Sequence, residues 1–232
     1  MNDIVVSEQR VETPDGWSLH LKRTACPARV QAGAGPLLIV PGYGMNSFIF
    51  GFHPRGTSME RTLAEAGLEV WSLDLRAQGR SRPARDRPGP VSLRGYAAID
   101  LPAAVERVLS ATATGADRLA LIGASLGGSI AYAYLALRPE PRLDALVTMG
   151  APLRWRGTHP VVRLAFGSPR VAAAVRLKHT RTLVRAALPL LTRVPRLLSM
   201  YMNAATIDLS RMHEMTRTVD DPSPNVNREL AE

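Results

Sequence analysis

The chain contains few cysteine, lysine and aromatic residues, and each of these shortages argues against a class of protein. Cys26 is the single cysteine among 232 residues, so no disulfide framework can form and a reducing compartment is the default expectation. The first residues also lack a basic start followed by an apolar run, so we predict no signal peptide and a cytoplasmic location. A chain of this length is expected to bury one good core.

Lysine occurs only at Lys22 and Lys178, so nearly all of the positive charge is arginine. The formal net charge of +9 raises the question of nucleic-acid binding. Binding of single-stranded nucleic acid uses aromatic side chains between the basic ones, on which the bases stack. Aromatic residues make up only 5% of this chain, and they are not interleaved with the arginines. We therefore expect no nucleic-acid partner.

Acidic residues are absent between Leu153 and Met200, where every charged side chain is basic. Apolar residues recur there at helical spacings, interrupted by prolines such as Pro189, and no further strand is predicted. We interpret residues 153–232 as a helical cap that follows a core formed by residues 1–152. The favoured explanation of the basic charge is a solvated helix face. The alternative is attraction to acidic substrates or a peripheral contact with an acidic membrane surface.

A run without charged residues extends from Leu119 to Leu137 and is long enough to suggest a membrane span. Glycines and a serine at its centre instead favour a buried strand, a tight turn and a helix. Residues Arg118–Ile122 have the apolar pattern of a buried parallel strand. Residues Ser129–Leu137 have the pattern of a helix that Pro139 ends. We therefore reject the membrane span.

Strands and helices alternate along the first 150 residues at a spacing that predicts an α/β fold. Such alternation is typical of a mostly parallel sheet with helices on both faces. Thr57 and Glu60 have the spacing of a capping box for one helix, and Asp100 is expected to cap another. The predicted strands are a hairpin over Ile4–Thr24, followed by Leu37–Val40, Leu68–Leu75, Arg118–Ile122 and Leu143–Met149.

The pattern Gly-x-Ser-x-Gly stands where the uncharged strand meets its helix, and it places Ser125 at the turn. A serine hydroxyl is a poor nucleophile unless it projects away from the backbone and lies near a base. A strained turn between a strand and a helix makes the hydroxyl project in this way. The crowded backbone leaves no room for a Cβ two residues away on either side, where Gly123 and Gly127 stand. We predict Ser125 as a nucleophile. The alternative is an ordinary turn between two core elements.

With these motifs the chain resembles the α/β-hydrolase superfamily over its first 150 residues. Pro41-Gly-Tyr-Gly stands where the family has His-Gly after its third strand. The resemblance implies that the backbone N–H groups of Tyr43 and Leu126 form an oxyanion hole. Asp74-Leu-Arg-Ala-Gln-Gly-Arg-Ser resembles the family loop Asp-x-Arg-Gly-x-Gly-x-Ser, with Ala77 in the place of the first glycine.

Finer similarities point to two branches of the superfamily. The segment Leu63–Trp71 and the start of the next helix at Asp100 resemble acid lipases. The same elements are similar to polyhydroxyalkanoate synthases, which carry cysteine where this chain has Ser125. The resemblance implies a serine hydrolase that cleaves a small-molecule or lipid ester through an acyl-enzyme. An acyltransferase of the synthase type and a non-catalytic protein on the same fold are the alternatives.

No metal-ligand spacing or phosphate loop occurs, so we expect no metal and no cofactor.

The family order of the triad is serine, then an acid, then a histidine. The strands that carry the acid and the histidine are not found before Glu232. We therefore predict the amino-terminal portion of a longer hydrolase, weakly active or inactive as written. His213, with Asp208 or Asp220 nearby, is the only late cluster that could act as a substitute. Earlier histidines such as His20 are expected to be surface or structural residues.

Overall fold

The structure is a computed structural model, and 31 residues of the chain fall outside what it describes, among them His159 and much of the predicted cap. The division of the chain after residue 152 therefore stays a prediction. No helix in the described part is both long and apolar enough to cross a bilayer. The described residues are 3–153, 167–174, 178–194 and 208–232.

Strands and helices alternate through the first part of the chain, as the sequence predicts. Between the helices Leu93–Gly95 and Leu101–Ala111 the backbone makes a π-helical turn over Tyr96–Asp100, so the two helices form one continuous stretch. The strands are β1 (Val5–Glu12), β2 (Trp17–Ala25), β3 (Leu37–Val40), β4 (Val70–Asp74), β5 (Arg82–Pro83), β6 (Leu119–Ala124) and β7 (Leu143–Met149). The helices are α1 (Phe48–Gly51), α2 (Met59–Glu65), α3 (Leu93–Gly95), α4 (Leu101–Ala111), α5 (Leu126–Leu137), α6 (Pro169–Ala174), α7 (Thr180–Leu191), α8 (Met212–Met215) and α9 (Pro224–Ala231).

The seven described strands form one sheet in the order β1-β2-β4-β3-β6-β7, with the short β5 paired to β2. The pairs β1–β2 and β2–β4 are antiparallel. The strands from β4 through β3 and β6 to β7 are parallel. Parallel neighbours need long crossover connections, which place helices against the sheet. The predicted mostly parallel α/β sheet is confirmed.

The sheet buries apolar side chains on both faces, as the central strand β3 shows. Leu38 and Val40 belong to the larger core cluster, which also contains apolar residues of α4 and α5. Leu37 and Ile39 belong to a second cluster with Phe50 of α1. Successive side chains of a strand point to opposite faces, so the two clusters lie on opposite sides of the sheet. The fully apolar sequence of β3 follows from this double burial.

The predicted capping box before α2 is wrong. Ser58, not Thr57, is the cap, and its Oγ accepts a hydrogen bond from the Arg61 N–H at 3.3 Å. Glu60 is buried, with its carboxylate 2.7 Å from the Lys22 ammonium. A buried carboxylate gains more from an ion pair and internal hydrogen bonds than from an exposed helix end, so Glu60 turns inward.

The predicted cap at Asp100 is also wrong, because Asp100 lies inside the continuous helical stretch with φ −67°. Its carboxylate accepts hydrogen bonds from Arg76 Nε at 2.9 Å and Nη2 at 2.7 Å. Both side chains are fully buried. A buried charge needs such a partner, so this pair fixes the loop after β4 to the helix.

Candidate active site

Ser125 occupies the turn between β6 and α5 in a conformation that side-chain-bearing residues rarely adopt. Its φ is +49° and its ψ is −118°, a strain that costs about 1–3 kcal/mol. Hydrogen bonds hold the turn, since the Ser125 N–H donates to the Met149 carbonyl at 2.7 Å and the Ser125 carbonyl accepts from the Gly128 N–H at 3.0 Å. Ser125 is nevertheless exposed. The turn therefore has the form of a nucleophile elbow.

The glycines of the motif are required by close backbone packing. A Cβ on Gly123 would lie 2.5 Å from the Gly128 Cα. A Cβ on Gly127 would lie 2.4 Å from the Val40 carbonyl oxygen. Both distances are far below van der Waals contact, and the opposing atoms belong to the backbone. The structure thus places Gly123 and Gly127 where the sequence analysis expects them, and explains why neither can carry a side chain.

The loop after β3 meets the elbow at Gly42. A Cβ on Gly42 would lie 3.2 Å from the Ser125 Cβ and 3.8 Å from its Oγ. Tyr43 and Leu126 are the next residues along the two segments, and both line one cavity of about 20 Å³. The structure therefore brings together the two residues predicted for the oxyanion hole. That their N–H groups bind an oxyanion stays a prediction.

The last part of the chain packs against this loop, which the sequence analysis did not predict. The Tyr43 hydroxyl donates a hydrogen bond to the Asn227 side-chain oxygen. Val226, on the same helix α9, is buried in the larger core cluster. Residues 221–223 line the cavity beside Tyr43 and Leu126. The apolar pair Val226 and Leu230, one helical turn apart, is the signal from which this contact could have been inferred.

Asp220 joins the carboxyl-terminal segment to two loops of the core. Its Oδ2 accepts hydrogen bonds from the Gly79 N–H at 2.7 Å and from Asn46 Nδ2 at 3.0 Å. Its own N–H donates to the Gly44 carbonyl at 2.8 Å. Burial raises the pKa of Asp220 above its ordinary value, although these hydrogen bonds oppose the rise. Asp220 thereby fixes the position of the segment that leads from Gly42 to α1.

Asp74, at the end of β4, has a similar organising role. Its Oδ1 accepts from the Ser47 N–H at 2.8 Å, and its Oδ2 accepts from the Arg80 N–H at 3.0 Å. His20 Nδ1 lies 2.9 Å from the same Oδ2. Burial alone would raise the pKa of Asp74, but the hydrogen bonds from His20, Arg80 and Ser47 outweigh it and hold the pKa below its ordinary value. Asp74 is therefore a buried carboxylate that ties β2 to two loops.

None of the described histidines or carboxylates forms a hydrogen bond with the Ser125 hydroxyl. His213 Nδ1 lies 2.6 Å from Arg185 Nη1. Asp208 accepts from Arg55 Nε at 3.2 Å, and Asp220 bonds to the core loops. The predicted late cluster is therefore not connected by hydrogen bonds. His159 lies outside the described residues.

The site contains an exposed serine on a strained turn, next to the loop that follows β3. Within the ranges that the structure describes, no three side chains of His, Cys, Asp or Glu form a group that could hold a metal ion. An exposed serine beside backbone N–H groups is the arrangement used for nucleophilic attack on a carbonyl, with the donors stabilising the oxyanion.

Comparison with known proteins identifies the family of the fold. A family model described as the alpha/beta hydrolase fold matches residues 35–184, a span that includes the β3 loop and the elbow. No curated protein sequence matches the chain. The acid-lipase and synthase branches stay predictions.

Solved structures share the fold at low sequence identity. A hypothetical protein from Pseudomonas aeruginosa has a TM-score of 0.55 and 14% identity, covering 99% of this chain and 72% of that one. A mutant of the N-acyl homoserine lactonase AidH, complexed with N-hexanoyl homoserine, has a TM-score of 0.50 and 20% identity, covering 93% and 68%. An α/β hydrolase from Novosphingobium aromaticivorans has a TM-score of 0.43 and 23% identity, and the alignment covers 62% of this chain but only 43% of that protein. The family match, which includes the turn at Ser125, shows that the chain belongs to the alpha/beta hydrolase fold family.

Proposed function

We propose that the protein is a serine hydrolase that cleaves carboxylic esters through an acyl-enzyme on Ser125. The observation that carries the proposal is the exposed serine at φ +49° between β6 and α5. Its neighbour across the site is the glycine of the β3 loop. The substrate class is a small-molecule or lipid ester. One neighbour in fold is a lactonase, and a lactone is a cyclic ester.

In the proposed reaction the Ser125 oxygen attacks the carbonyl carbon of the ester. The carbonyl π electrons move to the oxygen, which accepts hydrogen bonds from the N–H groups of Tyr43 and Leu126. The tetrahedral intermediate collapses, the alcohol leaves with the proton that the Ser125 hydroxyl has lost, and the acyl group stays on the serine. Water then hydrolyses the acyl-enzyme and releases the acid. Removal of one oxyanion donor in such sites typically costs about 10²–10³ in rate.

We expect this reaction to be slow. A complete triad contributes far more rate than the serine and the oxyanion hole do without it. Among the described side chains, none that could act as a base is hydrogen-bonded to the Ser125 hydroxyl. The proposal therefore requires measurable but weak turnover of activated esters, whose leaving groups need little help from an acid.

The test is the hydrolysis of p-nitrophenyl esters of short and long acyl chains by the wild type and by Ser125→Ala. We expect the wild-type rate above background to disappear in Ser125→Ala. Ser129→Ala is the matched control, because Ser129 lies one turn further along α5 and its hydroxyl donates to the Pro152 carbonyl at 3.0 Å. The control should keep the wild-type rate. Equal rates for Ser125→Ala and the wild type would rule out the proposal.

A second candidate is a non-catalytic protein that binds ligands on a hydrolase fold, since a fold does not determine a function. The lack of a hydrogen-bonded base at Ser125 among the described residues favours it. A folded wild-type protein with no ester turnover would support this candidate. Transfer of the acyl group to an added alcohol instead of water would indicate an acyltransferase.

A further inference from the structure

A second cavity, of about 330 Å³, opens beside the loops that follow β3 and β4. The same two loops line the small cavity at Tyr43, but through different residues. Asn46 and Arg80 face the larger cavity, whereas Ser125 lies outside its lining. Its size falls within the range of small-molecule sites, about 300–1,000 Å³. Tyr43 and Leu126 do not line it either, so none of the residues proposed to act on the ester lines this cavity.

His20 lines this cavity. One of its ring nitrogens is hydrogen-bonded to a carboxylate, and the other has no hydrogen-bond partner among the described residues. The ring is 4% exposed, and its Nδ1 lies 2.9 Å from the Asp74 carboxylate. Asp74 also accepts hydrogen bonds from two backbone N–H groups, which favour its ionised form. When the ring is neutral, Nδ1 carries its proton and donates to Asp74, and Nε2 presents a lone pair.

Nothing described donates to that lone pair. His20 Nε2 is buried without a hydrogen bond, and the Glu8 Oε2 lies 3.5 Å from it. In that tautomer Nε2 and the Glu8 Oε2 are both acceptors. Glu8 already accepts from Arg80 through its other oxygen, so the buried Nε2 is the acceptor that is left without a donor, which is unfavourable. A hydroxyl or ammonium group from a ligand would satisfy both acceptors at once.

The remainder of the lining contains four cationic side chains. Lys22, Arg80, Arg181 and Arg217 face the cavity, against the carboxylates of Glu8 and Asp74. Three of the four cations pair with a carboxylate: Lys22 with Glu60, Arg80 with Glu8, and Arg181 with Asp220.

Arg217 differs from the other three cations. Its guanidinium lies 4.3 Å from the centroid of the Phe48 ring, and no carboxylate in the described part of the chain pairs with it. Stacking occupies the face of a guanidinium and leaves its N–H edge available for a bidentate contact with an oxyanion.

We propose that this cavity binds a small molecule that carries both a hydrogen-bond donor and an oxyanion. The donor, a hydroxyl or ammonium group, sits between His20 and Glu8. The oxyanion, a carboxylate or phosphate, binds Arg217 and the neighbouring cations. This function goes beyond ester hydrolysis, because the residues that recognise the ligand do not include Ser125.

Calorimetric titration of the full chain at constant ionic strength tests the two halves of the proposal. O-phosphoethanolamine carries an ammonium group and a phosphate, inorganic phosphate supplies the oxyanion alone, and ethanolamine supplies the donor alone. We expect O-phosphoethanolamine to bind about tenfold more tightly than phosphate, and ethanolamine to bind most weakly. Equal affinity for O-phosphoethanolamine and phosphate would overturn the donor site. Failure of both to bind at about 10 mM would overturn the whole proposal.

Substitutions of exposed or half-exposed side chains assign the binding to this cavity without disturbing the core. Arg217→Gln should weaken both phosphate ligands about tenfold. Glu8→Gln should weaken O-phosphoethanolamine alone, because the new amide can itself donate to His20 Nε2. Arg142→Gln is the matched control, since Arg142 pairs with Glu106 near β7, at the opposite edge of the sheet.

The same measurements distinguish ligand binding in this cavity from ester hydrolysis at Ser125. Ser125→Ala should keep full affinity for O-phosphoethanolamine even though it loses ester hydrolysis. An unchanged affinity in Arg217→Gln, or an equal loss in Arg142→Gln, would contradict the proposed site.

Discussion

The Ser125 side chain lies against the backbone of Gly42, so closely that a Cβ on the glycine would be 3.2 Å from the Cβ of the serine. This contact joins the elbow to the loop after β3, which supplies Tyr43 to the same site. The proposed nucleophile and the proposed oxyanion donors are thus positioned by one tight backbone approach rather than by long side chains.

Gly42→Ala should therefore lower activity more than stability. The added methyl group would push the serine or the loop by a few tenths of an ångström, and misplacement of reacting groups on that scale is costly. We expect kcat/KM for p-nitrophenyl acetate to fall about tenfold, with little change in the Tm. An unchanged kcat/KM would show that the contact has no role in positioning the serine.

Gly127→Ala provides the contrasting case, because its Cβ would lie 2.4 Å from the Val40 carbonyl oxygen. Here two backbone segments must separate, so we expect a loss of several kcal/mol in the free energy of unfolding. Urea unfolding measures the loss. A protein as stable as the wild type would contradict the described packing at the elbow.

The strained backbone at Ser125 should be visible as a stability difference between two inactive variants. Glycine adopts a positive φ without strain, whereas alanine does not. We expect Ser125→Gly to be more stable than Ser125→Ala by about 1 kcal/mol in urea unfolding, after the greater chain entropy of glycine is allowed for. Equal stability of the two variants would mean that the turn is not strained.

Ala77 has φ +60° at the position where the family loop has glycine. The left-handed conformation costs a residue with a Cβ about 1–2 kcal/mol, so Ala77→Gly should raise the free energy of unfolding by up to about 1 kcal/mol. Ala103→Gly is the control, since Ala103 lies in the regular helix α4. That change should lower the free energy of unfolding by about 1 kcal/mol. A loss in both variants would refute the assigned strain at Ala77.

The buried Asp74 predicts a specific pH dependence of stability. Its pKa is lowered in the folded protein from an ordinary value of 3.8, so its contribution is fully present above that value and is lost as the pH falls through the lowered pKa. Asp74→Asn lacks the contribution at every pH. The stability difference between the wild type and Asp74→Asn should therefore be largest at neutral pH and shrink below about pH 4. A difference that stays constant down to acid pH, measured by urea unfolding, would contradict the assignment.

The parts of the site that the sequence predicts are encoded locally. The strand, the elbow and the helix around Ser125 are contiguous, and the steric demands on Gly123 and Gly127 arise within a few residues and the neighbouring strand β3. The same holds for the alternation of strands and helices, which follows from hydrophobic pattern and turn residues.

The parts that the sequence analysis misses depend on contacts between distant segments. His20 meets Asp74 because β2 and β4 pair in the register that places these two residues opposite each other, and no local pattern determines that register. Glu60, on helix α2, turns inward because Lys22 of β2 and Ser72 of β4 contact its carboxylate.

The central claim is that Ser125 is the nucleophile, and covalent labelling followed by peptide mass spectrometry tests it most directly. The wild type and Ser125→Ala are treated with a fluorophosphonate, digested, and searched for the phosphonyl adduct. The account predicts an adduct on Ser125 in the wild type and no labelling of Ser125→Ala. An adduct on another residue, or labelling of Ser125→Ala at the wild-type level, would contradict it.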